Sequence, residues 1–212
     1  LVFLAMLGYL LYSTSRCRLL WVLPVCFLSV TLLLTLTRSV WIASMTGLLV
    51  AVWLRFPTLK TLLISGVGIL IMLVCLPEAI QSRLASIWDP QHPSNAARLG
   101  IWSTGLQMVR INPWVGVGPQ RVSRVFFDYY PDPAARHREG FFWIHMHNNL
   151  LQFAAERGIP CAIAWLWLIL RMGRHHWQAF RQARFSSLEK SVSAGGFLSL
   201  LGLFLAGLFE FN

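Results

Sequence analysis

Leu19-Leu-Trp-Val-Leu-Pro-Val-Cys-Phe-Leu-Ser-Val-Thr-Leu-Leu-Leu-Thr-Leu-Thr37 runs for 19 residues without a charged side chain. A helix needs about 17–25 mostly apolar residues to cross a hydrocarbon core of roughly 30 Å, and this stretch has that length. It has company. Thr61–Pro77 carries no charge in 17 residues and Val192–Phe209 none in 18. Leu150–Leu170 is uncharged except for Glu156 and Arg157. None of these runs alternates apolar with polar residues, which argues against a transmembrane β-barrel. Only 12% of the 212 residues are charged and 56% are hydrophobic, where a soluble domain carries about 25% charge. The expected fold class is therefore all-α, a polytopic helical membrane protein.

Six spans are expected, at about 1–12, 19–35, 39–54, 61–77, 150–170 and 192–210. They divide the chain into transmembrane helices over 1–77, a long polar loop over 78–149, and two more transmembrane helices over 150–212 joined by a loop at 171–191. Leu1–Tyr12 is apolar from its first residue, with no basic segment or cleavage site to mark a signal peptide. The reading expects a fragment that lacks N-terminal spans. The connections 13–18, 55–60 and 171–191 fall on one side and hold nine basic residues in 33 positions, against seven Arg partly balanced by five acids in the 72-residue loop. The positive-inside rule places the first group in the cytoplasm. The long loop and Arg38 then face the exterior, which is the periplasm in a Gram-negative host. The formal charge of +10 reads as topology and lipid-headgroup contact, not nucleic-acid binding.

Cys17, Cys26, Cys75 and Cys161 form no CxxC pair, and three of them lie in apolar runs. They are expected to fill helix surfaces, with neither zinc nor a disulfide framework. Within the loop, Asn95–Ile111 is expected to be a helix capped by Ser94 or Asn95, because Leu99, Trp102, Leu106 and Val109 recur at helical spacing. Asn112-Pro113 stops it. Gly116-Val117-Gly118-Pro119 reads as a turn and not as a phosphate loop, since no strand precedes it and no Lys-Ser/Thr follows.

Three features carry candidate chemistry. Arg38 sits between two spans with little room for a loop, where a charge either snorkels to the headgroups or serves a ligand. Arg98 lies near the start of the loop helix; a guanidinium there adds to the positive helix end, which favours an anion such as diphosphate. His145-Met146-His147-Asn148-Asn149 lies where the loop re-enters the membrane. Histidine is suited to proton transfer near neutral pH, although a solvated interfacial His is also compatible with this spacing. Two His at i and i+2 do not share a helix face and make poor helical metal ligands, so no metal is expected. Glu156 and Arg157 lie two to three helical turns further on, inside an expected span. Glu156 either faces a cavity and orients a loop group or is solvated at the span end. Glu210, near another span end, has the same two readings.

In this order, the motifs resemble the O-antigen ligase and polymerase superfamily of membrane glycan-transfer proteins. The likeness rests on Thr37-Arg38-Ser39-Val-Trp41, on Arg98-x-x-Ile101-Trp102 followed by Asn112-Pro-Trp-Val-Gly116-Val-Gly118, on His145-x-His147-Asn148-x-Leu-Leu-Gln152-x-x-x-Glu156-x-Gly158, and on Gly207-Leu-Phe-Glu210-Phe-Asn212. It covers about Leu32 to Asn212, and it is closest to the O-antigen ligases. Pro160 departs from the family's pattern.

The resemblance implies a GT-C-like fold and a metal-independent, inverting glycosyltransferase with no cofactor. Its donor would be an undecaprenyl-diphosphate-linked glycan and its acceptor lipid A–core, with the site at the periplasmic face of a bacterial inner membrane. His147 is implied as the base, with Arg98 and Arg38 on the diphosphate. His145, Asn148, Gln152, Glu156 and Trp102 are implied to bind substrate. An O-antigen polymerase or a protein O-oligosaccharyltransferase of the same superfamily would differ in acceptor. A transporter of lipid-linked glycan would bind without reacting; it would favour ionisable groups near mid-membrane, whereas here they gather at one boundary and in one loop.

Overall fold

A computed structural model describes residues 1–13, 15–75, 78–86, 89, 92–130, 145–184 and 188–210. Among these residues the chain is helical, with no strand. It divides into two compact units: Leu1–Ile87 with Ile169–Ala206, and Trp88–Leu168 with Gly207–Asn212.

The first unit holds α1 (Val2–Tyr12), a 3-10 turn (Arg16–Trp21), α2 (Val22–Leu34), α3 (Arg38–Arg55), α4 (Leu59–Cys75) and α5 (Glu78–Ala85). It also takes in the end of α9 (Ile159–Gln182) and most of α10 (Leu188–Gly207). Two segments among the described residues are long and apolar enough to cross a membrane, Cys17–Leu34 and Leu188–Gly207. On the first, Leu19, Leu20, Leu23, Phe27 and Leu34 are all exposed. Five large apolar side chains on one short segment would be costly in water and are at ease in lipid. Small residues set the helix contacts. A side chain at Gly8 would strike the backbone of Gly195, and one at Gly47 would strike Leu4. Such close approach is how helices pack where lipid removes the hydrophobic drive. Leu4, Leu7, Ala51 and Leu198 form the resulting core.

The second unit is built on α6 (Pro93–Ile111), α7 (Val122–Tyr129), α8 (Asn149–Arg157) and the first part of α9. Ile101, Met108, Val122, Phe126, Met146 and Ala155 form its core. The loop helix starts earlier than its spacing suggested. Its cap is His92, whose ring nitrogen accepts from the Ser94 backbone N–H at 3.3 Å, and Pro93 occupies its first turn. Proline fits there because its missing N–H has no helical partner in any case. Ser94 and Asn95 are thus inside the helix, and Arg98 is a full turn past the N-terminus. The apolar run 150–170 is not one helix. It breaks at Gly158, whose φ of +85° only glycine adopts readily. Helix α9 then continues to Gln182, through the segment expected as a loop at 171–191. The middle of the polar loop, 131–144, and the chain end, Phe211-Asn212, lie outside the described residues.

Candidate functional site

The turn at Gly116–Pro119 is locked onto the C-terminal end of α8. The Val117 N–H donates to the Ala155 carbonyl at 2.8 Å and the Gly118 N–H to the Glu156 carbonyl at 2.9 Å. The Ile159 N–H donates to the Pro113 carbonyl at 2.7 Å. A side chain at Gly116 would collide with the Glu156 backbone, and one at Gly158 with the Trp114 carbonyl. The glycines of these two motifs therefore serve one close backbone crossing.

Glu156 completes that crossing. Its buried carboxylate accepts from the Gln120 backbone N–H at 3.1 Å and from Gln152 Nε2 at 2.8 Å, and pairs with Arg157 at 3.3 Å. Gln152, also buried, accepts from the Met146 N–H through Oε1 at 2.7 Å. Gln152 and Glu156 are thus turned into the protein and bonded there. Through Gln152 the pair holds the loop before α8.

That loop carries the histidines. Met146 is fully buried in the core, where Gly105 leaves room for its sulfur. With Met146 pointing inward, His145 and His147 on either side lie together, ring centroids 4.2 Å apart. Trp102 Nε1 donates to the Met146 carbonyl at 3.0 Å, so this tryptophan helps fix the same loop. Asn148 caps α8: Oδ1 accepts from the Leu151 N–H at 2.9 Å, and Nδ2 donates to the Leu208 carbonyl at 3.0 Å. His147 itself has a φ of +49°, a conformation that costs a non-glycine residue about 1–3 kcal/mol and persists only where its surroundings enforce it. The Gln152, Trp102 and Asn148 bonds supply that enforcement.

Glu210 is the residue that sequence reasoning left undecided. Its Oε2 lies 2.9 Å from His147 Nδ1 and its Oε1 2.7 Å from Arg98 Nη2. Burial pushes its carboxyl up, but the hydrogen bond from His147 and the charges of His147, Arg98 and His145 outweigh it and hold the group below its ordinary value. His145 is held below the usual imidazole range by burial first and by the charge of His147 second, against the pull of Glu210. Three groups separated by 49 and 63 positions in the sequence thus form one hydrogen-bonded cluster. The only signals available beforehand were an ionisable residue at the end of an apolar run and the motif around it.

Arg38 belongs to the other unit. It is buried at the first turn of α3, and its Nη1 donates to the Ser86 carbonyl at 2.8 Å and to Ser86 Oγ at 3.1 Å.

The O-antigen ligase family model matches the chain over residues 23–166, about two thirds of its length. The chain matches no curated protein.

Proposed function

The chain belongs to the O-antigen ligase family, and from that premise we propose that it is a membrane glycosyltransferase acting on a lipid-linked glycan. The donor in this reading is an O-antigen glycan on undecaprenyl diphosphate. The acceptor is lipid A–core, met at the periplasmic face of a bacterial inner membrane. The observation that carries the reading is the contact of Glu210 with both His147 and Arg98.

A carboxylate on Nδ1 favours the tautomer with the proton on that nitrogen. Nε2 then holds the lone pair and serves as general base. It takes the proton of an acceptor hydroxyl as the oxygen attacks the anomeric carbon. The bond from that carbon to the diphosphate oxygen breaks on the opposite face, so the configuration inverts. The leaving diphosphate gains negative charge. Arg98 offsets it, because the bond to Glu210 uses one of five N–H donors on the guanidinium and leaves others for phosphate. His145 beside the base and Asn148 at the cap border the space where substrate would lie. Trp102, Gln152 and Glu156 act one step back, as positioning residues. For Arg38 a contact to the diphosphate rests on the sequence resemblance.

The test is transfer of labelled glycan from its lipid-linked donor in proteoliposomes, with lipid A–core, a glycan-bearing lipid or a protein offered separately as acceptor. Transfer to lipid A–core, lost in His147→Ala, is the expected result. Transfer to the glycan or the protein alone would make the chain a polymerase or an oligosaccharyltransferase. Undiminished transfer by His147→Ala would remove the base assignment, and binding of donor with no transfer to any acceptor would favour a transporter.

A further inference from the structure

Trp114 and Val115 are 75% and 74% exposed, among the most exposed large apolar side chains described in the chain. They are not on a loose loop. The Gly116 N–H donates to the Asn112 carbonyl at 3.0 Å, closing the turn, and the backbone on either side is clamped to Ala155, Glu156 and Ile159. The fold thus holds two apolar side chains outward by a close backbone crossing, when a looser turn would let them fold back onto the core. The same crossing ties them to the first residue of α9. On that helix Ile159, Ile163 and Trp167, spaced at i, i+4 and i+8, are all exposed, which makes one apolar stripe.

The surrounding charge points the same way. From Pro93 to Phe127 the chain has no acidic residue, while it carries Arg98, Arg110, Arg121 and Arg124. Arg110, Arg121 and Arg124 are exposed. An exposed tryptophan beside arginines, at the start of a helix that is uncharged from Ile159 to Leu170, is the composition that a membrane–water boundary selects.

We propose that the Trp114–Val115 turn is a fixed bilayer anchor. It seats both side chains at the lipid–water boundary of the leaflet where α9 begins, with anionic headgroups over the neighbouring arginines. Because the turn is bonded to α8, and α8 is capped by the residue after His147, the anchor also sets the height of His147 relative to the lipid. This inference concerns the lipid surface and holds whichever acceptor the protein uses.

Site-directed spin labelling tests it. The four native cysteines are replaced by alanine, and Val115→Cys and Trp114→Cys are labelled separately in phosphatidylethanolamine–phosphatidylglycerol liposomes. Dissolved oxygen concentrates in the acyl region and a neutral nickel chelate in water. The expected result at Val115→Cys is faster relaxation with oxygen than with the chelate, and at Trp114→Cys the same order with a smaller difference. Equal or greater acceleration by the chelate at both positions places the turn in water and overturns the proposal. Protection from both reagents with an immobilised spectrum also overturns it, because protein would then cover the turn.

Discussion

His147 Nδ1 and Glu210 Oε2 lie 2.9 Å apart although 63 positions separate them in the chain. The contact joins the strained turn before α8 to the residues that follow α10. In the proposed reaction it leaves Nε2 as the nitrogen that meets the acceptor.

Glu210→Gln keeps the size of the side chain and removes its charge. The imidazole then loses the carboxylate that favours the proton on Nδ1, and with it the lone pair at Nε2 that the proposed reaction uses. kcat/KM should fall by about 10- to 100-fold, part of the 10²–10⁴ that a general base contributes. An unchanged kcat/KM would mean that Glu210 does not orient the base.

Acid should loosen the cluster. The carboxyl of Glu210 is held low in the folded chain, so its contribution to stability is present above the unfolded value and is lost as pH falls through the folded one. His145 is held low too. The folded state favours its neutral form, and stability declines as pH drops below the ordinary imidazole range. Thermal unfolding in detergent should therefore weaken in two stages on acidification, with the lower stage absent in Glu210→Gln and the upper one absent in His145→Asn.

Gln152→Leu removes both bonds that the buried amide makes; it strands the Met146 N–H, while the Glu156 carboxylate keeps the Gln120 N–H and Arg157. An unsatisfied buried polar group costs about 1–3 kcal/mol. Hydrogen exchange at the Met146 amide should accelerate well beyond that at the α6 amides. Equal acceleration in both places would indicate global loosening instead of release of the histidine loop.

Gly158→Ala places a Cβ against the Trp114 carbonyl in a backbone conformation that L-residues resist. The conformation alone costs about 1–3 kcal/mol, and the collision with backbone cannot be relieved by a rotamer change. The yield of monodisperse protein in detergent should collapse. Gly173→Ala, where an added Cβ meets nothing within 4 Å, should leave it unchanged.

Arg98→Lys keeps the charge and loses the planar fork. A point charge still attracts diphosphate but does not hold Glu210 and a phosphate oxygen together in one plane. Because Arg98 acts on the charge that the leaving diphosphate gains, kcat should fall more than the donor KM rises; the reverse would place the effect of Arg98 in ground-state donor binding.

The sequence by itself determined that the protein is helical and built for lipid. Uncharged runs such as Leu19–Thr37 leave few other stable states, because lipid requires every backbone group to be satisfied within its own segment. It also marked His147 and Arg98 as candidates, through local motifs that survive without any knowledge of their neighbours. Tertiary structure decided the rest. Composition did not reveal that Gly158 splits an apolar run, because the break serves a crossing with Trp114, 44 positions away. Nor did it decide between the two readings of Glu156, which accepts from the Gln120 N–H, or show that Gln152 faces inward, since a helical pattern does not state what a helix packs against. Glu210 was ambiguous as sequence, a carboxylate at the end of a span. Its meaning lies in two distances, to Arg98 and to His147, and a charge acquires its role from the charges that folding brings within a few ångströms.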